Sequence, residues 1–252
     1  MRAASKAELR KSPGAGGKAK LEAKMEIEVK LRVADRRQVL RQLARLRAEL
    51  MGARVHEMNT LYDTAEGDLA RHGRMLRVRV ERPAARLKRK GKMHQRRARE
   101  NPALPALLTF KGPVAFPRQG PKRPTKVREK TYKIREEYEI RVSHQEEARR
   151  IIERLGFHPC FRYEKFRTTY RLPGIRNLKV EIDETPIGVF LELEGPRGEI
   201  DRAAARLGFG RAEYINKSYG ALFMEESGVG RGRSSHGEPT SFSRWPDMLF
   251  RS

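Results

Sequence analysis

The sequence predicts an α+β fold: a closed eight-stranded antiparallel β-barrel with helices packed outside it. Three observations lead there. Five short stretches alternate charged with apolar residues; helix-spaced apolar residues separate runs of strands; and 252 residues with 38% hydrophobic content supply one sizeable core. The alternation is clearest in Met25-Glu26-Ile27-Glu28-Val29-Lys30-Leu31. Successive side chains of a strand point to opposite faces, so Glu26, Glu28 and Lys30 share one face and Ile27, Val29 and Leu31 the other. The pattern recurs with both signs in Leu76-Arg77-Val78-Arg79-Val80, Glu137-Tyr138-Glu139-Ile140, Val180-Glu181-Ile182-Asp183 and Leu191-Glu192-Leu193-Glu194. A single such strand reads as the wet face of an ordinary antiparallel sheet. The set reads otherwise, because a solvated face usually mixes Thr, Ser, Gln and Lys. Carboxylate pairs on four strands with an arginine pair on a fifth suit a site that holds divalent cations and a polyanion together, which is phosphate chemistry.

In chain order, the first strand falls at about 25–33. Asp35 then caps a helix whose Val39, Leu43, Leu46 and Leu50 repeat at helical spacing, ending near Gly52. Strands follow near 56–63, 74–82, 107–112 and 135–142. Ser143 and Glu146 have capping-box spacing ahead of Ala148, Ile151, Ile152 and Leu155, and Gly156 closes that helix. Further strands fit near 159–171, 177–184 and 189–195. A short helix runs from about Ile200 to Leu207 and stops at Gly208; a last helix spans Tyr214 to Met224. Leu155-Gly156-Phe157 and Leu207-Gly208-Phe209 repeat one helix ending, and Glu26-x-Glu28 echoes Glu192-x-Glu194, which suggests two similar halves. Eight strands with charges on one face close most economically into a barrel whose interior holds side chains or one small ligand. The usual rule is then inverted, with a charged tunnel inside and apolar residues outside, beneath helices.

The net charge is +24, but residues 1–24 hold +5 of it and 82–135 hold +16, leaving +3 for the remainder, which carries most of the alternating strands. The chain therefore reads as a basic disordered tail at 1–24, a tunnel domain at 25–224, and a disordered tail at 225–252, where Phe242, Trp245, Met248, Leu249 and Phe250 form a short apolar peptide. Within the domain, 82–106 is a basic insertion and 113–134 a flexible Pro/Lys/Arg-rich loop. Such runs attract polyanions weakly and non-specifically. No aromatic residue lies between Arg82 and Leu108 to stack on bases. Cys160 is the only cysteine, so no intramolecular disulfide forms. His56, His72, His94, His144, His158 and His236 show no i, i+3 or i, i+4 pair for a zinc site. No apolar run approaches the ~20 residues of a membrane span. A cytoplasmic monomer or homodimer is expected.

Glu26-x-Glu28-x-Lys30, Leu76-Arg77-x-Arg79, Leu108-Thr109-Phe110-Lys111-Gly112-Pro113, Arg135-Glu136-Glu137-Tyr138-Glu139, Lys165-x-Arg167, Glu181-Ile182-Asp183, Phe190-x-Glu192-x-Glu194-Gly195 and Asn216-Lys217-Ser218-Tyr219 follow one another in an order that resembles the CYTH superfamily. These are the triphosphate tunnel metalloenzymes, which include class IV adenylate cyclases and thiamine triphosphatases. The resemblance runs from about 25 to 224, and departs at the basic insertion, the 113–134 stretch and both tails. It implies that Lys30, Arg77, Arg79, Lys111, Arg167 and Lys217 grip a triphosphate. It implies equally that Glu26, Glu28, Glu137, Glu139, Asp183, Glu192 and Glu194 organise Mg²⁺ or Mn²⁺, with Glu26, Glu28 and Lys30 at the catalytic centre. The chemistry agrees, since hard carboxylate oxygens suit those ions and guanidinium forks match phosphate oxygens. Lys165, Lys179 and Glu181 are expected at the tunnel rim or in local pairs, and Tyr138 and Tyr219 as packing residues. Three functions follow in order: a metal-dependent triphosphatase, an adenylate cyclase releasing pyrophosphate, and a non-catalytic binder of polyphosphate or nucleic acid.

Overall fold

The computed structural model describes residues 24–84, 104–115, 131–226 and 240–242. Its elements in chain order are β1 (Lys24–Val33), α1 (Arg36–Arg45), β2 (Glu49–Asp63), α2 (Asp68–Arg71), β3 (Met75–Pro83), β4 (Ala106–Val114), β5 (Lys133–Val142), α3 (Gln145–Arg154), β6 (His158–Arg171), β7 (Lys179–Thr185), β8 (Gly188–Glu194), α4 (Arg197–Arg206), α5 (Tyr219–Glu226) and β9 (Thr240–Phe242). The strands pair in the order β2-β3-β4-β5-β1-β8-β7-β6, and a further β2–β6 pairing closes the ring. All eight pairings in the ring are antiparallel. This is the closed barrel that the alternation predicts.

The alternation sorts side chains as expected. On β1, Val29 and Leu31 face outward and are fully buried, joined by Val180 and Ile182 of β7 and Leu191 and Leu193 of β8. Val39 and Leu43 of α1 and Ile200, Ala203, Ala204 and Leu207 of or beside α4 cover that face. Each fully buried Val, Leu or Ile there contributes about 1.5–3 kcal/mol. A second cluster joins Tyr62, Val78, Val80 and Ala106 to Ile152 of α3. The third fills one end of the barrel, where Leu61, Phe161, Tyr163 and Phe190 pack against Tyr219, Leu222 and Phe223 of α5.

Four boundaries differ from the sequence reading. Helix α1 has its Asp35 cap, whose Oδ1 accepts from Arg37 N at 2.9 Å, but it ends at Arg45 and not near Gly52. Arg47 takes a left-handed φ of 53°, and Ala48 N donates back to Leu43 O at 2.9 Å. That 6→1 closure ends a helix whatever follows it. β2 accordingly starts at Glu49, so Leu50 matched the helical spacing yet is exposed on a strand. Helix α3 is capped at His144 with no side-chain bond, because Ser143 Oγ lies 2.8 Å from His144 Nδ1 instead of serving the helix. The last helix begins at Tyr219 and not at Tyr214, since Ile215 pairs its backbone with Lys30 of β1 in both directions, at 2.8 and 2.9 Å.

The tails and loops are reached only in part. Arg82 and Pro83 still belong to β3, Pro113 and Val114 to β4, and Lys133 and Ile134 to β5. Glu225 and Glu226 complete α5, and Thr240–Phe242 runs parallel to Phe161–Tyr163 on β6, where an untethered tail was expected. Residues 1–23, 85–103, 116–130, 227–239 and 243–252 lie outside the described residues, and with them most of the basic insertion and the apolar peptide. Among the described residues no helix is long and apolar enough to cross a membrane.

Candidate active site

The inward faces of the barrel enclose a cavity of about 440 Å³. Its described lining carries eleven Lys or Arg side chains and nine glutamates. Register explains the interleaving. Glu28 on β1 lies opposite Glu194 on β8, and Lys30 opposite Glu192. On the other side, Glu26 lies opposite Arg135 and Glu28 opposite Lys133 of β5. Directly opposed residues share a face, so four carboxylates of β1 and β8 adjoin the lysine and arginine of β5. The echo of Glu26-x-Glu28 in Glu192-x-Glu194 is thus a physical adjacency of two neighbouring strands.

Nearly every charge is closed on an opposite one. Lys111 Nζ donates to Glu26 at 2.6 Å and lies 3.4 Å from Glu137. Glu28 accepts from Lys30 at 2.9 Å and Lys133 at 2.7 Å, and Lys30 also reaches Glu192 at 3.0 Å. Arg79 bridges Glu57 at 3.3 Å and Glu139 at 3.0 Å, while Arg77 donates to Thr109 at 3.3 Å and sits 3.6 Å from Glu139. Arg167 contacts Glu181 at 2.6 Å, Asp183 at 2.6 and 2.7 Å, and Glu192. At the rim, Glu194 pairs with Lys24 at 3.1 Å and Lys179 at 3.2 Å, both well exposed.

Burial and pairing pull the ionisations apart. Burial, reinforced by the Glu28 charge, raises the Glu26 carboxyl despite Lys111 beside it. Burial opposes ionisation of Glu28 too, but Lys133 and Lys30 together hold it below the ordinary carboxylate range. Glu192 is likewise held well below that range, since Lys30, Lys165 and Arg167 outweigh its burial. Glu181 goes the other way: burial pushes it up to about 7, and Arg167 does not offset that together with the Asp183 and Glu192 charges. Glu57, buried against Lys165 and Arg167, sits at about 2.

Of the residues singled out in the sequence, Glu26, Glu28, Lys30, Arg77, Arg79, Lys111, Glu137, Glu139, Arg167, Glu192 and Glu194 all line the cavity. Two do not. Asp183 is completely buried behind the lining, held by Lys165 Nζ at 2.7 Å, Arg167 and the Tyr219 hydroxyl at 2.8 Å. Lys217 is exposed and pairs with Glu225 at 2.6 Å; Ser218 and Tyr219 line the cavity in its place. Tyr138 is exposed, its hydroxyl on Glu136. Lys179 is exposed and pairs with Glu194, while Lys165 and Glu181 are buried lining residues that pair with Asp183 at 2.7 Å and Arg167 at 2.6 Å, the local-pair alternative of the expectation. Glu57, Lys133 and Arg135 line the cavity unanticipated, as do Lys24, Arg54 and Glu81. The signal for two of them was present, because Lys133-x-Arg135-x-Glu137-x-Glu139 extends the same alternation two steps back. Glu57 was hidden as the one acidic residue of its strand facing inward.

The carboxylates fit a hard divalent cation in kind, being all oxygen donors gathered from adjacent strands. Among the described residues no three Asp, Glu, His or Cys side chains are grouped closely enough to hold a metal ion, and the carboxylates there are paired with lysines and arginines.

A Methanocaldococcus jannaschii protein with the provisional name of an adenylate cyclase is 25% identical over 178 residues, spanning 70% of this chain and 80% of that protein. A Vibrio parahaemolyticus structure, also provisionally named an adenylate cyclase, superposes with TM-score 0.58 at 16% identity, over 80% of this chain and 99% of that one. PH1012 from Pyrococcus horikoshii superposes at 0.54 with 22% identity, over 78% and 98%. A Hippeastrum adenylyl cyclase candidate does so at 0.50 with 17% identity, over 81% and 96%. At such identities the solved structures speak to the fold alone. The CYTH domain profile matches residues 24–219, from β1 to the first residue of α5, and the chain belongs to that family.

Proposed function

We propose that this chain hydrolyses triphosphates in its tunnel with Mg²⁺ or Mn²⁺, taking inorganic triphosphate, thiamine triphosphate or a nucleoside triphosphate. The observation that carries this reading is the interleaving of eleven cations with nine carboxylates along the described lining of one cavity. An entering polyanion exchanges partners with the lining. Lys30, Arg79, Lys111 and Arg167 transfer their hydrogen bonds from carboxylates to phosphoryl oxygens, Arg77 turns to them from Thr109, and the carboxylates released become oxygen donors. Glu26, Glu28, Glu192 and Glu194, with Glu137 and Glu139 of β5, would hold the metal. When bound, the metal neutralises phosphate charge and lowers the pKa of a coordinated water. The lysines and arginines then stabilise the charge that gathers on the leaving phosphate oxygens as the bond breaks.

Hydrolysis is preferred to cyclisation because water needs no shelf and adenine does. The described lining has two aromatic residues, Tyr163 and Tyr219. The Tyr219 ring already lies 5.2 Å from Lys30 Nζ and 5.0 Å from Lys165 Nζ, and Tyr163 packs in tilted pairs with Phe161 and Tyr219, centroids 6.0 and 6.3 Å apart. Both rings are thus engaged by neighbouring side chains. The Hippeastrum structure supports the preference by analogy, since that protein is described as having a dominant triphosphatase activity. The test is to incubate the chain with tripolyphosphate, thiamine triphosphate and ATP plus Mg²⁺ or Mn²⁺ and resolve products by ³¹P NMR. Orthophosphate with the matching diphosphate is expected; pyrophosphate with cyclic AMP as the main ATP products would replace hydrolysis by cyclisation.

A further inference from the structure

Among the cations of the described lining, Arg135 is the exception. Ten of the eleven have a carboxylate oxygen within 4.0 Å, and Arg135 has none among the described residues. It is nevertheless buried, with 7% of its surface exposed. Its guanidinium is fixed by backbone carbonyls: Nε donates to Gly112 O at 2.7 Å, and Nη2 donates to Gly73 O at 2.8 Å and Lys111 O at 3.3 Å. Those carbonyls belong to the turn before β3 and the end of β4 where the β4–β5 register shifts. A Cβ at Gly112 would stand 3.3 Å from Glu136 Cβ, the residue next to Arg135, so the strands lie close together here. The third nitrogen, Nη1, has no protein partner among the described residues and is not sealed from the cavity.

We infer that Arg135 is a further substrate-binding residue, the cation that receives a phosphoryl oxygen before any ion pair of the lining has opened. The other ten lysines and arginines of the described lining each lie within 4.0 Å of a carboxylate, so phosphate must compete with that pairing for them. Arg135 releases nothing. Its fork is held in place by three neutral carbonyls, and the Glu26, Glu28 and Glu137 charges act on it only from beyond ion-pair distance, so a phosphate oxygen on Nη1 gives a buried guanidinium a direct anionic partner without displacing one. The same carbonyl contacts fix the backbone of Lys111, whose ammonium turns toward Glu26 and Glu137. The chain thus has a preformed anion-binding point beside the end of the tunnel where Lys111 must later change partners.

This inference rests on the reading that triphosphate enters the tunnel, and metal-free binding separates the two. Tripolyphosphate is titrated calorimetrically into the full chain in excess EDTA, then again with Mg²⁺. The wild type should bind in EDTA, and Arg135→Met should weaken that binding at least tenfold, the loss expected for a buried charged hydrogen bond. Arg150→Met, on the exposed face of α3, should match the wild type; an equal loss there would assign the effect to net charge and overturn the inference. Arg135→Met binding within twofold of wild type in EDTA would also overturn it. Should Arg135→Met lose its cooperative melt, Arg135→Lys takes its place, with at least a fivefold loss expected because an ammonium cannot hold the three carbonyls and a phosphate oxygen together. Failure of the wild type to bind even with Mg²⁺ would instead remove the functional reading beneath it.

Discussion

Replacing Asp183 by Asn separates what holds the barrel together from what handles substrate. Asp183 is fully buried, and its carboxylate takes four donated hydrogen bonds: from Lys165 Nζ at 2.7 Å, Arg167 Nε at 2.7 Å, Arg167 Nη2 at 2.6 Å and the Tyr219 hydroxyl at 2.8 Å. Asparagine preserves the shape but removes the charge and turns an NH₂ group toward those donors. Breaking one side of a buried ion pair costs about 3–5 kcal/mol. In a domain of roughly 200 residues each kcal/mol lowers Tm by about 2–4 °C, so the expected fall is about 6–20 °C. The assay is thermal unfolding followed by circular dichroism, without ligand, with turnover measured below the transition. Tyr219 should loosen with Asp183, because its hydroxyl has that one partner. A variant that melts like wild type and has lost all turnover would refute the reasoning, and would place Asp183 among the groups that act on substrate or metal.

Other perturbations give contrasting outcomes. Glu194→Gln should lower kcat at least a hundredfold while moving Tm by no more than about 2 °C, since its partners Lys24 and Lys179 are exposed and such pairs contribute about 0–1 kcal/mol; a rate near wild type would take Glu194 out of the metal set. Turnover should vanish in excess EDTA and return with Mg²⁺ or Mn²⁺, and full activity in EDTA would contradict the role given to the carboxylates. Glu57 is held at about 2, below its ordinary 4.5, so its contribution to stability is present above pH 4.5 and lost as pH falls toward 2. Urea unfolding should therefore show wild type losing on the order of 3 kcal/mol more than Glu57→Gln over that window, and parallel curves would show that Glu57 is not selectively ionised by the fold. Arg47→Gly, at the left-handed φ of 53° that ends α1, should raise stability by about 0.5–1 kcal/mol in the same assay; a loss would mean that the arginine side chain matters there more than the backbone.

Much of the fold was legible because period-2 alternation is a direct record of which face a residue takes. Glu26, Glu28, Arg77, Arg79, Glu192 and Glu194 could be placed inside from their neighbours alone, and Val29, Leu31, Ile182 and Leu193 outside beneath helices. What escaped depended on contacts distant in sequence or on backbone conformation. Leu46 and Leu50 keep a helical spacing across a helix end that Arg47 makes by its φ, which composition does not reveal. Ile215 is held extended by a backbone pairing with Lys30, so helix propensity from Tyr214 onward could not prevail. Lys217 follows the motif but turns to Glu225, a partner eight residues away on the surface. Asp183 shares the alternation of Glu181, yet the tight grip of Lys165, Arg167 and Tyr219 draws it behind the lining. Lys133 and Arg135 could have been included by starting the fifth strand two residues earlier; a proline- and lysine-rich approach hid that start.

The most direct test of a metal-assisted triphosphate tunnel is a crystal structure of the chain grown with Mn²⁺ and a non-hydrolysable tripolyphosphate, with anomalous differences measured above the manganese edge. The expected result is a manganese peak bonded to oxygens of Glu26, Glu28, Glu192 or Glu194, and a phosphate chain inside the barrel touching Lys30, Arg77, Lys111 and Arg135. Phosphate density confined to the outer surface, with the lining ion pairs unbroken and no manganese in the cavity, would contradict it.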